Sequence, residues 1–218
     1  MIKFLKNLFS YLSIVVILAT MLFFCTGCTT DEGKKPSDNI VFLGDSITSS
    51  YDLNKYFPDY PVINSGVWGD RTDQAQSRLE SDVYAYSPRK VFILIGINDV
   101  GYGRSNDDIT SRIEALILDI HKNCPYTDLY LISVYPLNIS DFDTWYPPMS
   151  ENVNDVVDDL NEKLIALSDK LDIVFIDMAP YLKNDSNELK KEYTVEGLHL
   201  TDEAYEVISG VLLVYLKE

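Results

Sequence analysis

Five short apolar runs alternate with helical stripes along the chain, and this alternation restricts the fold more than any other feature. The run at residues 91–95 is wholly apolar, which is typical of a central parallel strand covered on both faces. The sequence therefore predicts an α/β domain, with a five-stranded parallel sheet between two helical layers and right-handed crossovers. The predicted strands are residues 40–43, 61–64, 91–95, 129–134 and 173–176.

The helices are predicted from apolar residues that recur at three- and four-residue spacing. The clearest pattern covers residues 153–171, where an apolar stripe runs opposite a strongly acidic face. Shorter stripes predict helices over residues 75–83, 109–120 and 204–215, and another helix is expected to begin within residues 51–60.

The first 27 residues are typical of an export signal rather than of the fold. Lys3 and Lys6 precede a nearly continuous apolar run at residues 8–24. The next residues, Cys25-Thr26-Gly27-Cys28, resemble the lipobox of bacterial lipoproteins, with Cys28 as the lipidated residue, although Cys25 stands where leucine is usual. The run also approaches the ~20 residues that span a bilayer, so an uncleaved anchor is the alternative. Both interpretations place the domain outside the cytoplasmic membrane.

The predicted organisation is thus a lipoprotein signal peptide at residues 1–27, a polar tether at residues 28–38, and one catalytic domain at residues 39–218. Beyond Cys28 the exported part contains only Cys124, so no intramolecular disulfide is expected. The formal net charge is −16, from 34 acidic and 18 basic side chains. Such a chain repels phosphate backbones, so nucleic acid is not an expected partner.

Distinctive short motifs follow three of the predicted strands, where parallel strands bring them to one edge of the sheet. They are Gly44-Asp45-Ser46, Gly66-Val67-Trp68-Gly69-Asp70 and Gly96-Ile97-Asn98-Asp99, and Glu196-Gly197-Leu198-His199 precedes the last helix. A serine nucleophile needs a base within hydrogen-bond reach and an acid that orients the base. His199 is the candidate base, because His121 is predicted to lie on the surface at a helix end. Asp45 is interpreted as structural.

These motifs resemble, in order, the four blocks of the SGNH or GDSL-type esterases and acylhydrolases. The resemblance implies that Ser46 is the nucleophile and His199 the base. It also implies an oxyanion hole made by the N–H of Ser46, the N–H of Gly69 and the amide of Asn98, with Gly66 a poorer match than Gly69. A flavodoxin-like sheet order follows from the same resemblance, with no metal ion and no other cofactor.

One position departs from the family pattern. The family usually has aspartate three residues before the histidine, and this chain has Glu196. The extra methylene changes how the carboxylate must approach the imidazole, and a ~1 Å misplacement can cost about a hundredfold in rate. Asp202 is the alternative orienting acid.

The substrate is suggested by aromatic residues in loops expected at the active edge. Trp68 lies beside the oxyanion glycine, and Trp145 and Tyr146 lie in the long loop at residues 136–150. Aromatic side chains suit sugar rings, so the hypothesis is removal of acetyl or another short acyl group from a carbohydrate, or another small ester, outside the cell. Trp145 could instead cover the sheet edge. An acyltransferase, a lysophospholipase or lipase, and a non-catalytic surface-binding lipoprotein remain alternatives.

Overall fold

The first strand, β1 (Ile40–Gly44), lies inside a parallel sheet and is buried along its whole length. The computed structural model describes residues 36–142, 149–150 and 152–217. Within them the sheet has five strands in the order β2–β1–β3–β4–β5. The other strands are β2 (Val62–Gly66), β3 (Lys90–Leu94), β4 (Asp128–Ile132) and β5 (Val174–Ile176). The predicted α/β class, strand number and flavodoxin-like order are confirmed.

Helices lie in the crossovers between successive strands, and two more follow β5. They are α1 (Ser46–Ser49), α2 (Leu53–Tyr56), α3 (Thr72–Ser77), α4 (Leu79–Asp82), α5 (Ile97–Gly101), α6 (Asn106–Asn123), α7 (Val153–Leu171), α8 (Ala179–Leu182) and α9 (Asp202–Lys217). Single 3₁₀ turns occur at Tyr84–Tyr86, Ile139–Asp141 and Lys191–Tyr193. The stripe predicted for residues 153–171 coincides with α7.

Stacked aromatic rings join the central strands on one face of the sheet. Phe42, Phe92 and Tyr130 are register partners on β1, β3 and β4, and their ring centroids are 4.8 and 4.6 Å apart. Tyr215 of α9 meets Tyr130 edge-on. Successive side chains of a strand point to opposite faces, so the intervening apolar residues are available to the other helical layer. Both faces of the central strands are therefore buried.

Two predicted helices differ from the structure for identifiable reasons. The stripe at residues 75–83 divides into α3 and α4 at Arg78, whose guanidinium bonds to Asp70, Asp82 and the carbonyl of Gly44. The helix expected within residues 51–60 is the single turn α2, which ends at Tyr56 with Phe57 as its C-cap. Proline follows Phe57 in the sequence, and a residue before proline is driven out of the helical region.

The helix that begins with Ser46 approaches the sheet so closely that two strand ends must be glycine. A Cβ on Gly66 would lie 2.2 Å from the backbone nitrogen of Ser49. A Cβ on Gly44 would collide with the side chain of Thr48 on α1, and it would lie 2.5 Å from the carbonyl oxygen of Leu94 on β3. Any other residue would push α1 away from the ends of β1 and β2.

Several predictions concern residues outside the described part of the chain. The signal peptide at residues 1–27, the lipidation residue Cys28, most of the tether, Trp145 and Tyr146 all lie outside it. Among the helices that the structure does describe, none has the length and apolar character that crossing a bilayer requires.

Candidate active site

Ser46 is placed by the junction of β1 and α1, as the first residue of the helix. The side chain of Asp45 caps this helix, because its Oδ1 accepts a hydrogen bond of 2.9 Å from the N–H of Ile47. Ser46 therefore stands at the carboxyl end of a central strand with its own N–H among the unpaired donors of a helix start.

The hydroxyl, an imidazole and a carboxylate form one hydrogen-bonded series. Ser46 Oγ is 2.9 Å from His199 Nε2, across 153 residues of sequence. His199 Nδ1 is 2.6 Å from Oε1 of Glu196. A carboxylate only accepts hydrogen bonds, so Nδ1 carries the proton and Nε2 is left to accept from the serine. The structure thus brings Ser46, His199 and Glu196 together in the order that a serine nucleophile requires.

Glu196 reaches the imidazole because a local turn directs it there. Its Oε1 also accepts a hydrogen bond of 2.9 Å from the backbone N–H of His199. The hydroxyl of Thr194 closes the turn, since it accepts from the N–H of Gly197 at 2.7 Å and donates to the carbonyl of His199 at 3.1 Å. Gly197 has φ +97°, and a Cβ there would lie 2.5 Å from Cα of Phe142. The longer acid is therefore accommodated without lengthening its bond to the base.

Asp202, the alternative acid, is placed elsewhere. It begins α9, its side chain is 85% exposed, and its carboxylate lies 3.0 Å from Nζ of Lys55. Of the two acids near the base in sequence, Glu196 is the one that the structure places on the imidazole of His199.

The two candidate oxyanion donors are adjacent. Asn98 is buried at the start of α5, and its Nδ2 donates to the carbonyl of Asp70 at 2.9 Å, one residue beyond Gly69. An amide nitrogen carries two hydrogens, so the second N–H of Asn98 can serve a ligand. Gly69 has φ +77° and open space around its Cα, whereas Gly66 is packed against α1. This difference favours Gly69 over Gly66 as the donor.

Trp68 covers the base. Its ring centroid is 4.7 Å from that of His199 at an interplanar angle of 34°, and the residue is 59% exposed. One face of the indole thus contacts the imidazole while much of the ring is open to a ligand. Of the three aromatic residues predicted to contact substrate, Trp68 lies at the site, and the other two lie outside the described residues.

A group of buried acids near the site was not foreseen from the sequence. Asp45, Asp70 and Asp99 are all buried and close enough to repel one another. Arg78 bonds to Asp70 at 2.6 Å, and Arg104 bonds to Asp99 at 2.6 Å. No ion pair among the described residues involves Asp45. The acids were recognisable as motif residues, but their arginines come from separate helices and loops that spacing cannot assign.

Burial therefore controls the protonation of Asp45. Desolvation is the main cause that raises its pKa to about 7, and the charges of Asp70 and Asp99 add to it, against the hydrogen bond from Ile47. Its Oδ2 is buried with no hydrogen-bond partner among the described groups. The carboxyl keeps a proton that an exposed aspartate would have lost.

The variant Asp45→Asn is expected to reduce the pH dependence of stability. The folded state holds a proton that the unfolded state releases near pH 3.8, so stability from this group is complete below that pH. It is lost as pH rises towards the folded pKa of about 7. Between pH 5 and pH 8 the wild type should lose roughly 2–3 kcal/mol through this group. Asparagine keeps the capping oxygen and removes the titration.

Urea unfolding at the two pH values measures the effect. Asp107→Asn, which changes an exposed acid paired with Lys163, is the matched control and should leave the pH dependence as it is in the wild type. An Asp45→Asn variant whose unfolding free energy changes with pH as much as the wild type would contradict the assignment.

A parallel α/β sheet whose edge carries serine, imidazole and carboxylate in hydrogen-bonded series is the architecture of a serine hydrolase. The model of the GDSL-like lipase/acylhydrolase family matches residues 42–207. The chain belongs to this family and is a carboxylic ester hydrolase of the GDSL type.

Individual relatives agree with this placement. The chain is 28% identical over 154 residues to an arylesterase of Vibrio mimicus, which covers 62% of this chain and 75% of the arylesterase. A solved structure of a candidate acylhydrolase from Bacteroides fragilis superposes with a TM-score of 0.75 at 25% identity, over 85% of this chain and 91% of that one. The acetyl xylan esterase AlAXEase has the same fold, with a TM-score of 0.65 at 21% identity, over 81% and 98% of the two chains.

Proposed function

We propose that this protein removes short acyl groups, acetyl above all, from carbohydrate esters outside the cytoplasm, with Ser46 as nucleophile, His199 as base and Glu196 as orienting acid. The observation that carries the proposal is the unbroken hydrogen-bonded series from Ser46 Oγ through the imidazole to Glu196 Oε1. A carboxylic ester is the substrate class that the family provides.

The mechanism has two acyl-transfer steps. His199 Nε2 takes the hydroxyl proton as Ser46 Oγ attacks the ester carbonyl, and the N–H groups of Ser46, Gly69 and Asn98 stabilise the oxyanion. The imidazolium then protonates the departing alcohol, which leaves an acyl-serine. Water attacks the acyl-serine while His199 accepts its proton and returns it to Ser46, so the carboxylic acid departs and the enzyme is restored.

The choice of a sugar ester rests on the surroundings of the base. Trp68 offers an exposed indole directly against His199, and a flat aromatic surface can stack on a sugar ring. The acetyl xylan esterase with the same fold is named for a deacetylation of this kind. Val67 and Val195 are also exposed, at 41% and 69%, and they favour a longer acyl chain as the second candidate.

A panel of esters tests the proposal against its alternatives. Acetylated sugars and p-nitrophenyl acetate should be hydrolysed faster than p-nitrophenyl octanoate, and Ser46→Ala should lower kcat by about 10⁵–10⁶ by removing the nucleophile. Release of free acetate, rather than transfer to a sugar hydroxyl, distinguishes the hydrolase from an acyltransferase by mass spectrometry.

The Ser46→Ala variant is also the control for the ester panel. Equal hydrolysis by the wild type and by Ser46→Ala would favour a non-catalytic binding lipoprotein, with contaminating esterase as the source of turnover. A preference for the octanoyl ester would favour a lipase or lysophospholipase.

Substitutions of Glu196 test whether charge or reach matters at this position. Glu196→Gln keeps an acceptor oxygen and length but loses the charge, so kcat should fall by about 10²–10⁴ while the fold is unaffected. Glu196→Asp keeps the charge and loses one methylene, so its carboxylate cannot hold both N–H groups of His199. We expect an intermediate kcat on p-nitrophenyl acetate. Asp202→Asn is the control, and a loss there equal to that of Glu196→Gln would identify Asp202 as the acid.

Membrane attachment through Cys28 is the proposed localisation, based on the lipobox-like motif and the basic, apolar segment before it. The wild type in the membrane fraction should have the mass of residues 28–218 plus a lipid, and Cys28→Ser should carry no lipid because the thiol that bears it is removed. Wild-type protein in the membrane fraction at the mass of the uncleaved chain, without lipid, would instead indicate an N-terminal transmembrane anchor.

A further inference from the structure

The guanidinium of Arg71 lies over the exposed ring of Tyr102 beside the active site, and the Arg71 side chain is 24% exposed. It follows Asp70 and precedes α3, and its Cζ is 4.5 Å from the ring centroid of Tyr102. Within the described residues its side chain donates no hydrogen bond. The nearest carboxylate is that of Asp73, 3.6 Å from Nε. The contact with Tyr102 thus holds the guanidinium of Arg71 in place, while its five N–H donors make no hydrogen bonds within the described residues.

The pair lies next to the candidate oxyanion donors. Tyr102 follows α5 and is one helical turn, ~5.4 Å, beyond Asn98, since its N–H donates to the Asn98 carbonyl at 3.0 Å. Asn98 in turn donates to the carbonyl of Asp70, which immediately precedes Arg71. Asn98 is thus bonded both to the residue before Arg71 and to Tyr102, the ring over which Arg71 lies.

Arg71 differs from the neighbouring arginines, Arg78 and Arg104, because their guanidinium groups donate hydrogen bonds to carboxylates. Arg78 is bonded to two carboxylates and one carbonyl. Arg104 binds Asp99 at 2.6 Å and Asp73 at 3.1 Å, and its hydrogen bond is the largest cause that lowers the pKa of Asp73. The charge of Asp73 is thus satisfied mainly by Arg104. Within the described residues, Arg71 makes one ion pair, with Asp73 at 3.6 Å, and its guanidinium donates no hydrogen bond, so its N–H groups are available to an external anion.

We propose that Arg71, supported by Tyr102, binds a carboxylate or phosphate group on the alcohol part of the substrate, so that the preferred substrates are acylated anionic sugars. The inference rests on the proposed function, because it names the substrate class of the same site. A guanidinium fork matches the oxygens of both groups, and a stacked guanidinium loses little further freedom on binding them. Tyr102 is 63% exposed, so it can contact the same sugar ring.

Four esters test the inference with the purified protein: an acetylated methyl glucuronoside, its uncharged uronamide, an acetylated glucose phosphate, and p-nitrophenyl acetate. The wild type should deacetylate the glucuronoside with a kcat/KM about tenfold above that of the uronamide, the effect of one charged hydrogen bond. Arg71→Gln should bring this ratio close to one. The acetylated glucose phosphate could have a higher kcat/KM than the glucuronoside and lose this advantage in Arg71→Gln. That result would support the site, with phosphate as the preferred anion.

Three further variants separate this role from a structural one. Tyr102→Phe keeps the stacking ring and should keep the ratio, whereas Tyr102→Ala should reduce it. Arg112→Gln removes a surface arginine that is paired with Asp108 on α6, and the ratio should stay as in the wild type. Equal kcat/KM for glucuronoside and uronamide, or a preference that survives in Arg71→Gln, would overturn the inference.

The proposed function fails in a different way. If Ser46→Ala hydrolyses p-nitrophenyl acetate as fast as the wild type, then the esterase assignment falls whatever the sugar esters show. If the wild type hydrolyses p-nitrophenyl acetate through Ser46 but none of the sugar esters, the esterase assignment stands and the anionic-sugar inference is wrong.

Discussion

The contact between α1 and the ends of β1 and β2 determines where the reactive hydroxyl lies. Gly44 and Gly66 leave no room for a Cβ, so the helix rests directly on the sheet backbone. Ser46 follows from this contact, because it is the first helical residue after the central strand. The positions of Gly69 and Asn98 depend on the neighbouring strand ends, which are held in register with β1. The sheet therefore places the serine and its candidate oxyanion donors together.

Buried charge is the second constraint on this edge of the sheet. Arg78 connects α3 and α4 to Asp70 and to the carbonyl of Gly44, so it ties the loop after β2 to the end of β1. Arg104 joins α5 to α3, because it bonds to the fully buried Asp99 of α5 and to Asp73 of α3. Removing one partner of a buried ion pair leaves an uncompensated charge, so loss of either arginine should destabilise this edge. Among the described residues no cation pairs with Asp45, and burial raises the pKa of its carboxyl to about 7.

The fold was predictable because its signals are local. Apolar runs and stripes, with glycine at strand ends, identified the sheet and the edge at which Ser46, Asn98 and His199 meet. The division of one helix at Arg78 was not predictable, because Arg78 also bonds to the carbonyl of Gly44, which is distant in sequence. The sequence also could not predict that the carboxylate of Glu196 reaches His199, because this contact depends on the turn closed by Thr194. Arg71 showed no sequence signal, because its exposed stacking on Tyr102 is a tertiary contact.

Glu196 and His199, the proposed acid and base, belong to one short turn and are only three residues apart, which bears on how the site assembles. Glu196 can align His199 through contacts within the turn, so that alignment does not wait for the rest of the chain. Only one long-range junction, between His199 and Ser46, has to form. If the acid came from a separate loop, a second loop closure would be needed, with an additional cost in conformational entropy. The turn therefore orients the imidazole of His199 before it reaches Ser46, and a single long-range contact then completes the hydrogen-bonded series.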